Sequence, residues 1–514
     1  VPTDFKESRE CVSRPSGLAV TLRNEKRSSL GGQPSRQTGE PGRLRKHHLR
    51  TASFLAAGIS AVAFAVPAYG QDRVYNGPGT DRTSAPNWNG NDVPDTVGED
   101  AVFQNNGAPT SVSITTNVGL GAVRFEANGP ARTINLAAVL GLTNGVSNQS
   151  GVVQTINING AVMADTTLQM YGSADFTGTQ TNLLLGAGFL QIANQANATR
   201  AHAMLNGGVM TLETGDGTAT LGALSGTGTV VSSIVNGGIA NQQLTVGGLN
   251  LSTTFAGQLV QDAGSFLSVV KDGTGTLTLT GANNYTGTTT ISAGTLQIGN
   301  GGNSGTLGSG NIINNSVLFF SRSDGLTVGS VISGAGSLAL LNGRLTLSGA
   351  NSYSGATTVQ SGTLTIQNNS ALGSNATGTT VGHGGALEMQ GGITITEALT
   401  LHGTGVANGG ALRNISGTNT IAIDIILGSS ARINMDGALN LQGVTGNGHT
   451  LTVGGAGQGT VFGAISNLTS FTKDGTGTLT LTGANNYTGT TTISAGTLQI
   501  GNGGNSGTLG SGNI

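Results

Sequence analysis

Lys271–Ile312, KDGTGTLTLTGANNYTGTTTISAGTLQIGNGGNSGTLGSGNI, returns letter for letter as Lys473–Ile514. A drifted copy runs from Gly343 to Ile366. Within the unit Leu277 and Leu279 alternate with threonines and a Gly-Ala-Asn-Asn-Tyr-Thr-Gly break follows. Thr289 and Ile291, a Ser-Ala-Gly turn, and Leu296 and Ile298 complete it. Period two punctuated by turn residues is the signature of short half-buried strands. Strands of four or five residues with one apolar face cannot bury it alone, so the unit must stack on neighbours as the rungs of a solenoid do. The drifted copy agrees: Val359 stands for Ile291 and Ser348 for Thr280, whereas Leu345, Leu347, Gly349, Asn351, Tyr353 and Gly355 keep their places. Inward apolar and turn positions persist while outward ones change.

The same alternation begins well upstream, at Ser111. Val112 pairs with Ile114, Val123 with Phe125, Ile134 with Leu136, Val153 with Ile156 and Ile158, and so on to Leu244 and Val246. The composition suits this: 88 of 514 residues are Gly, 9% are charged and 4% aromatic, which fits many short strands and Gly/Asn turns better than helices. The expectation is an all-β chain, an elongated parallel β-helix or β-solenoid over residues 111–514 with rungs of about 20 to 25 residues. Its repeat units lie near 271–312, 343–373 and 473–514.

The N-terminal part reads differently. Residues 1–42 are polar and without periodicity, begin with Val1, and precede the first methionine, Met163, by far; they read as a disordered leader or a mis-started segment. Arg43, Arg45, Lys46, His47, His48 and Arg50 then lead into the apolar run Ala52–Val66 and the small residues around Ala68 and Gly70. A basic flank, a run too short to span a membrane and a small-residue cleavage site make residues 43–70 a signal peptide. Residues 71–110 are rich in turns and carry the sole tryptophan, Trp88, as expected of an N-terminal cap shielding the first rung.

Half of the 22 Lys+Arg residues lie in residues 1–50, against 5 of the 24 Asp+Glu, so the body carries a net charge of about −8. A weakly acidic body without basic clusters argues against nucleic acid as a partner. The only cysteine, Cys11, precedes the body, which excludes a disulfide framework and a thiolate metal site.

The run KDGTGTLTLTGANNYTGTTTISAGTLQI resembles the autotransporter-associated β-strand repeat of bacterial autotransporter passengers, in which Gly-x-Gly-Thr-Leu-x-Leu leads to Asn-x-Tyr-x-Gly and Ala-Gly-x-Leu. The middle copy departs from it with Asn342-Gly343-Arg344 and Ser361-Gly362. The resemblance implies an exported β-helix displayed at the cell surface, non-enzymatic, working by adhesion or self-association. Its partners would be a host or neighbouring-cell surface, or itself. It also implies a C-terminal outer-membrane barrel that this sequence does not include, so further rungs and then a barrel are expected beyond Ile514. A spacer or export-assisting role, or a β-helical glycan-degrading enzyme, are the alternatives.

Motifs for chemistry are weak. Lys271-Asp272-Gly273, repeated at Lys473-Asp474-Gly475, reads as a turn. Gly382-His383-Gly384 and Arg432-Ile433-Asn434 imitate the order of a pectin-hydrolase site, yet no paired carboxylates accompany them and Asn434 replaces the lysine. His383 is expected to be a turn histidine on a Gly-rich corner. Gly301-Gly302-Asn303-Ser304-Gly305 lacks the aspartate of a calcium nonapeptide, and no nucleophile elbow or zinc pair occurs. The sequence therefore names no catalytic, cofactor or metal-binding residue.

Overall fold

The computed structural model describes residues 73–75, 100–103, 111–114, 118–127, 130–136, 139–150, 152–158, 167–170, 175–186, 189–193, 197–213, 217–233 and 240–514. All belong to the unit Ala52–Ile514. The expected leader, the signal peptide, and all of the cap except Arg73–Tyr75 and residues 100–103, Trp88 included, lie outside them.

Every described strand pair is parallel, and inward residues stack on inward residues: Val246 on Lys271, Lys271 on Ile291, and Ile291 on Asn314. Stacked partners are 19 residues apart at Leu277/Leu296, 26 at Leu399/Ile425 and 30 at Val146/Phe176. Parallel neighbours require such a crossover, and here the crossover is the rest of the rung, so the chain is an all-β parallel β-solenoid. The single helical element among the described residues is a 3-10 turn, Val406–Asn408.

Each rung presents three faces. Face A carries Val246, Lys271, Ile291 and Asn314, and passes through Ile332, Tyr353 and Ile395 to Ile421, Leu441, Val461 and Leu481. Face B stacks Phe255, Leu279, Ile298, Phe320, Leu340, Val359, Val381 and Leu401, and continues through Ile425, Val444 and Ile465 to the backbone beside Tyr487. Face C runs from Leu259 past Tyr285 to Val328, Leu347, Ile366, Met389, then Ile433, Val453 and Lys473. Their inward side chains form one continuous apolar column. Fully burying one such Leu or Ile contributes about 1.5–3 kcal/mol.

Three expectations need correction. Strands are not limited to four or five residues: Thr418–Met435 and Ala438–Gly454 run for 18 and 17, because register shifts carry the ladder around the corners. Val153 does not face inward; it is 41% exposed and the strand starts one residue later, at Gln154. Thr278, although outward by parity, is buried. It stacks between Thr254 and Gln297, and Gln297 is itself held under Phe319.

Candidate functional site

The repeat unit is a polar clamp built around an apolar column. Ser265, Leu267, Val269 and Lys271 alternate inward, so parity carries the lysine into the interior, where it is 1% exposed. Its Nζ donates to the carbonyls of Asp272 (2.7 Å), Gly273 (2.8 Å) and Ala293 (3.1 Å). Gly273 makes that cradle with φ +69°, a conformation costly for any residue with a side chain. Lys473 repeats the arrangement on Asp474, Gly475 and Ala495. Burial pushes the Lys271 ammonium down to about 8, against the opposing pull of Asp272, and lowers Lys473 as well. The sequence reading of a plain turn missed this role, which the parity from Val269 could have disclosed.

The second clamp is asparagine. Asn283 Oδ1 accepts from the Leu259 amide (2.8 Å) of the rung before, and its Nδ2 donates to the Thr306 carbonyl (2.7 Å) of the rung after. Asn351 does the same with Ile332 and Ala371, and Asn485 with Ile465 and Thr508. Beside each, a buried tyrosine hydroxyl meets a threonine four residues on: Tyr285–Thr289, Tyr353–Thr357 and Tyr487–Thr491. Each copy thus ties three successive rungs with bonds whose loss would leave buried polar groups unpaired.

Below Thr357 lies an unusual interior carboxyl. Thr379 Oγ1 donates to Glu397 Oε1 at 2.6 Å, while Glu397 Oε2 is buried without a partner. Burial raises this carboxyl to about 7, with the Thr379 bond opposing.

Outside, the charges gather on face C. Glu388, almost fully buried, is held by Arg344 at 2.9 Å and Arg413 at 3.5 Å; Arg413 also meets Asp436 at 2.7 Å. Arg432 reaches across a rung to Asp474 with two bonds of 2.7 and 2.9 Å. The intervening rung carries Gly454, where a methyl group would run into both partners. Face A is different. From Thr418 to Gln499 its outward positions are Thr418 and Thr420, Ala438 and Asn440, Gln458 and Thr460, Thr478 and Thr480, then Thr497 and Gln499, all at least partly exposed and none charged.

The residues that imitate enzyme motifs are engaged otherwise. His383 is exposed and its ring lies tilted by 51° against that of His402, with centroids 5.5 Å apart, at a register shift between two rungs. Arg432 is committed to Asp474, and Asn434 donates to Asp436. In the Gly301–Gly305 loop the carbonyls of Asn303 and Gly305 accept from the Arg322 guanidinium, which also pairs with Asp324. Among the described residues no group of three or more His, Cys, Asp or Glu is placed to hold a metal.

The family model of the passenger-associated-transport-repeat matches residues 269–298, 342–366 and 471–500, the three clamps just described. The chain is also 42% identical over 99 residues to the adhesin BmaC autotransporter of Brucella suis biovar 1 (strain 1330). That alignment covers 18% of this chain and 3% of the relative. No solved structure matches. Three passenger-associated transport repeats are thus seated on a parallel β-solenoid that shares distant, partial homology with an autotransporter.

Proposed function

We propose that this passenger acts by surface contact rather than catalysis, adhering to a host or neighbouring cell or to a second copy of itself. The observation that carries the reading is the two-column ladder of uncharged side chains on face A, Thr418 to Gln499. Hydroxyls and amides repeated at about 4.8 Å, interrupted at Ala438, give a surface of donors and acceptors with no charge to desolvate on contact. The partial homology to an adhesin supports it. In this reading residues 43–70 direct export through the inner membrane, residues 71–110 cap the stack, and a C-terminal barrel holds the passenger at the outer membrane. A spacer role for the same solenoid is the second reading, favoured by the recurrence of the same polar clamp in three repeats.

The test is display of the passenger on a non-adherent bacterium, scored for cell binding and for clumping. Lysines at Thr420, Thr460 and Thr480 place like charges along the ladder and should reduce both by about tenfold without altering the circular-dichroism signal. Unchanged binding and clumping would leave the spacer reading standing.

A further inference from the structure

The three clamps do not lie above one another. In the first copy Leu279 is on face B, Tyr285 on face C and Ile291 on face A. In the middle copy the equivalent residues turn by one face: Leu347 lies on C, Tyr353 on A and Val359 on B. In the last copy they turn again, with Leu481 on A, Tyr487 on B and Ile493 on C. Yet the asparagine clamp spans the same three rungs in all three settings, the tyrosine–threonine pair forms in all three, and the lysine cradle forms in both identical copies. Both lysines stack on a valine, Val246 and Val453, but other inward neighbours differ: Leu279 stacks on Phe255 and Leu481 on Val461. The unit therefore carries its own contacts and accepts any of the three faces as its floor.

We propose that the two identical copies are face-independent junctions bounding a length cassette, so that gain or loss of the segment between them keeps every inter-rung contact. The segment has 473 − 271 = 202 residues. It comprises about nine and two-thirds turns, or roughly 46 Å of stack at one strand spacing per turn. Since that is not a whole number of turns, each added cassette would rotate all later rungs by one third of a turn. The ion-pair cluster of Arg344, Glu388, Arg413 and Arg432, now on face C, would reappear on face B of the added length. One sequence would thus set both the reach of the passenger and the directions in which its charged and uncharged faces point.

The proposal is tested by a chain in which residues 313–514 are appended directly after Ile514. In the present structure Ile493 and Ile500 are 46% and 41% exposed, whereas their twins Ile291 and Ile298 are fully buried. Peptides covering Ser292–Gly299 and Ser494–Gly501 are identical, so hydrogen exchange of the parent chain should give a split isotopic envelope with about half of the population fast. If the second copy accepts the continuation on its rotated face, three copies are present, only the terminal one is open, and the fast share falls to about one third. If face identity matters, the second and third copies both stay open and the fast share rises to about two thirds, which overturns the proposal. Peptides from the appended 313–472 supply an independent reading: a single protected envelope supports the cassette, and an equal split into protected and unprotected forms refutes it.

Discussion

Glu397→Gln should remove most of the pH dependence of local stability around the middle repeat. The carboxyl sits in the interior with Thr379 at one oxygen and nothing at the other, beside the buried Tyr353. Burial lifts it from the ordinary carboxylate range to about 7. A raised pKa means that the folded state holds the proton more tightly than the unfolded chain. Its contribution is therefore complete below the unfolded value near 4.5 and is lost as pH rises through about 7. Moving a carboxyl that far corresponds to about 3 kcal/mol at full burial, and to about 2 kcal/mol once partial solvent screening is allowed for. A solenoid opens locally, so the readout is amide exchange at Val381, Leu399 and Leu401, corrected for intrinsic rates, at pH 5 and pH 8. Wild type should lose about 30-fold in protection between the two, while the glutamine variant, which keeps an acceptor for Thr379, should lose little. An equal loss in both proteins would refute the reasoning.

Other parts of the stack carry further expected outcomes. Raising the pH from about 8 to about 10.5 should stabilise the rungs at Lys271, because a lowered lysine pKa means that folding releases its proton in that window; Lys271→Met should reduce that rise in a denaturant titration, leaving only the share of Lys473, whose pKa is lowered too. Leu279→Asp should cost several kcal/mol by placing a carboxylate in the closed column. Thr480→Asp, at a partly exposed position, should cost under about 1 kcal/mol, and Thr278→Asp, the same residue buried in the first copy, clearly more; equal melting shifts for the two threonines would contradict the packing around Gln297 and Phe319. Gly454→Ala should displace the Arg432–Asp474 pair and destabilise by about 1 kcal/mol, an effect that 1 M salt should reduce.

The fold was legible because period two and the turn residues encode both strand and rung, as the copies of Leu277, Leu279 and Tyr285 illustrate. What alternation could not disclose depends on neighbours one rung away. Thr278 is covered by residues 19 and 24 positions distant, and Val153 precedes its strand by one residue that no periodic pattern marks. Lys271 was readable by parity from Val269, but a charged side chain argues for solvent until three carbonyls are seen around its ammonium. The rotation of the repeats was hidden because partners 19 to 30 residues apart make rung length, and hence face, impossible to count from the sequence. The ion pairs of Arg344 with Glu388 and of Arg432 with Asp474 join residues 44 and 42 apart, and only the stack brings them together.

The central claim, a parallel solenoid with successive rungs in register, is tested most directly by cross-linking outward positions in a Cys11→Ser background, Cys11 being the sole cysteine. Thr460 and Thr480 are register partners on adjacent rungs, and Gln499 is one rung further. Cysteines at 460 and 480 should close a disulfide under mild oxidation, since a strand spacing of about 4.8 Å lies within the Cα range a disulfide tolerates. Cysteines at 460 and 499, about 9.6 Å apart, should not. Efficient closure of the second pair, or failure of the first, would contradict the account.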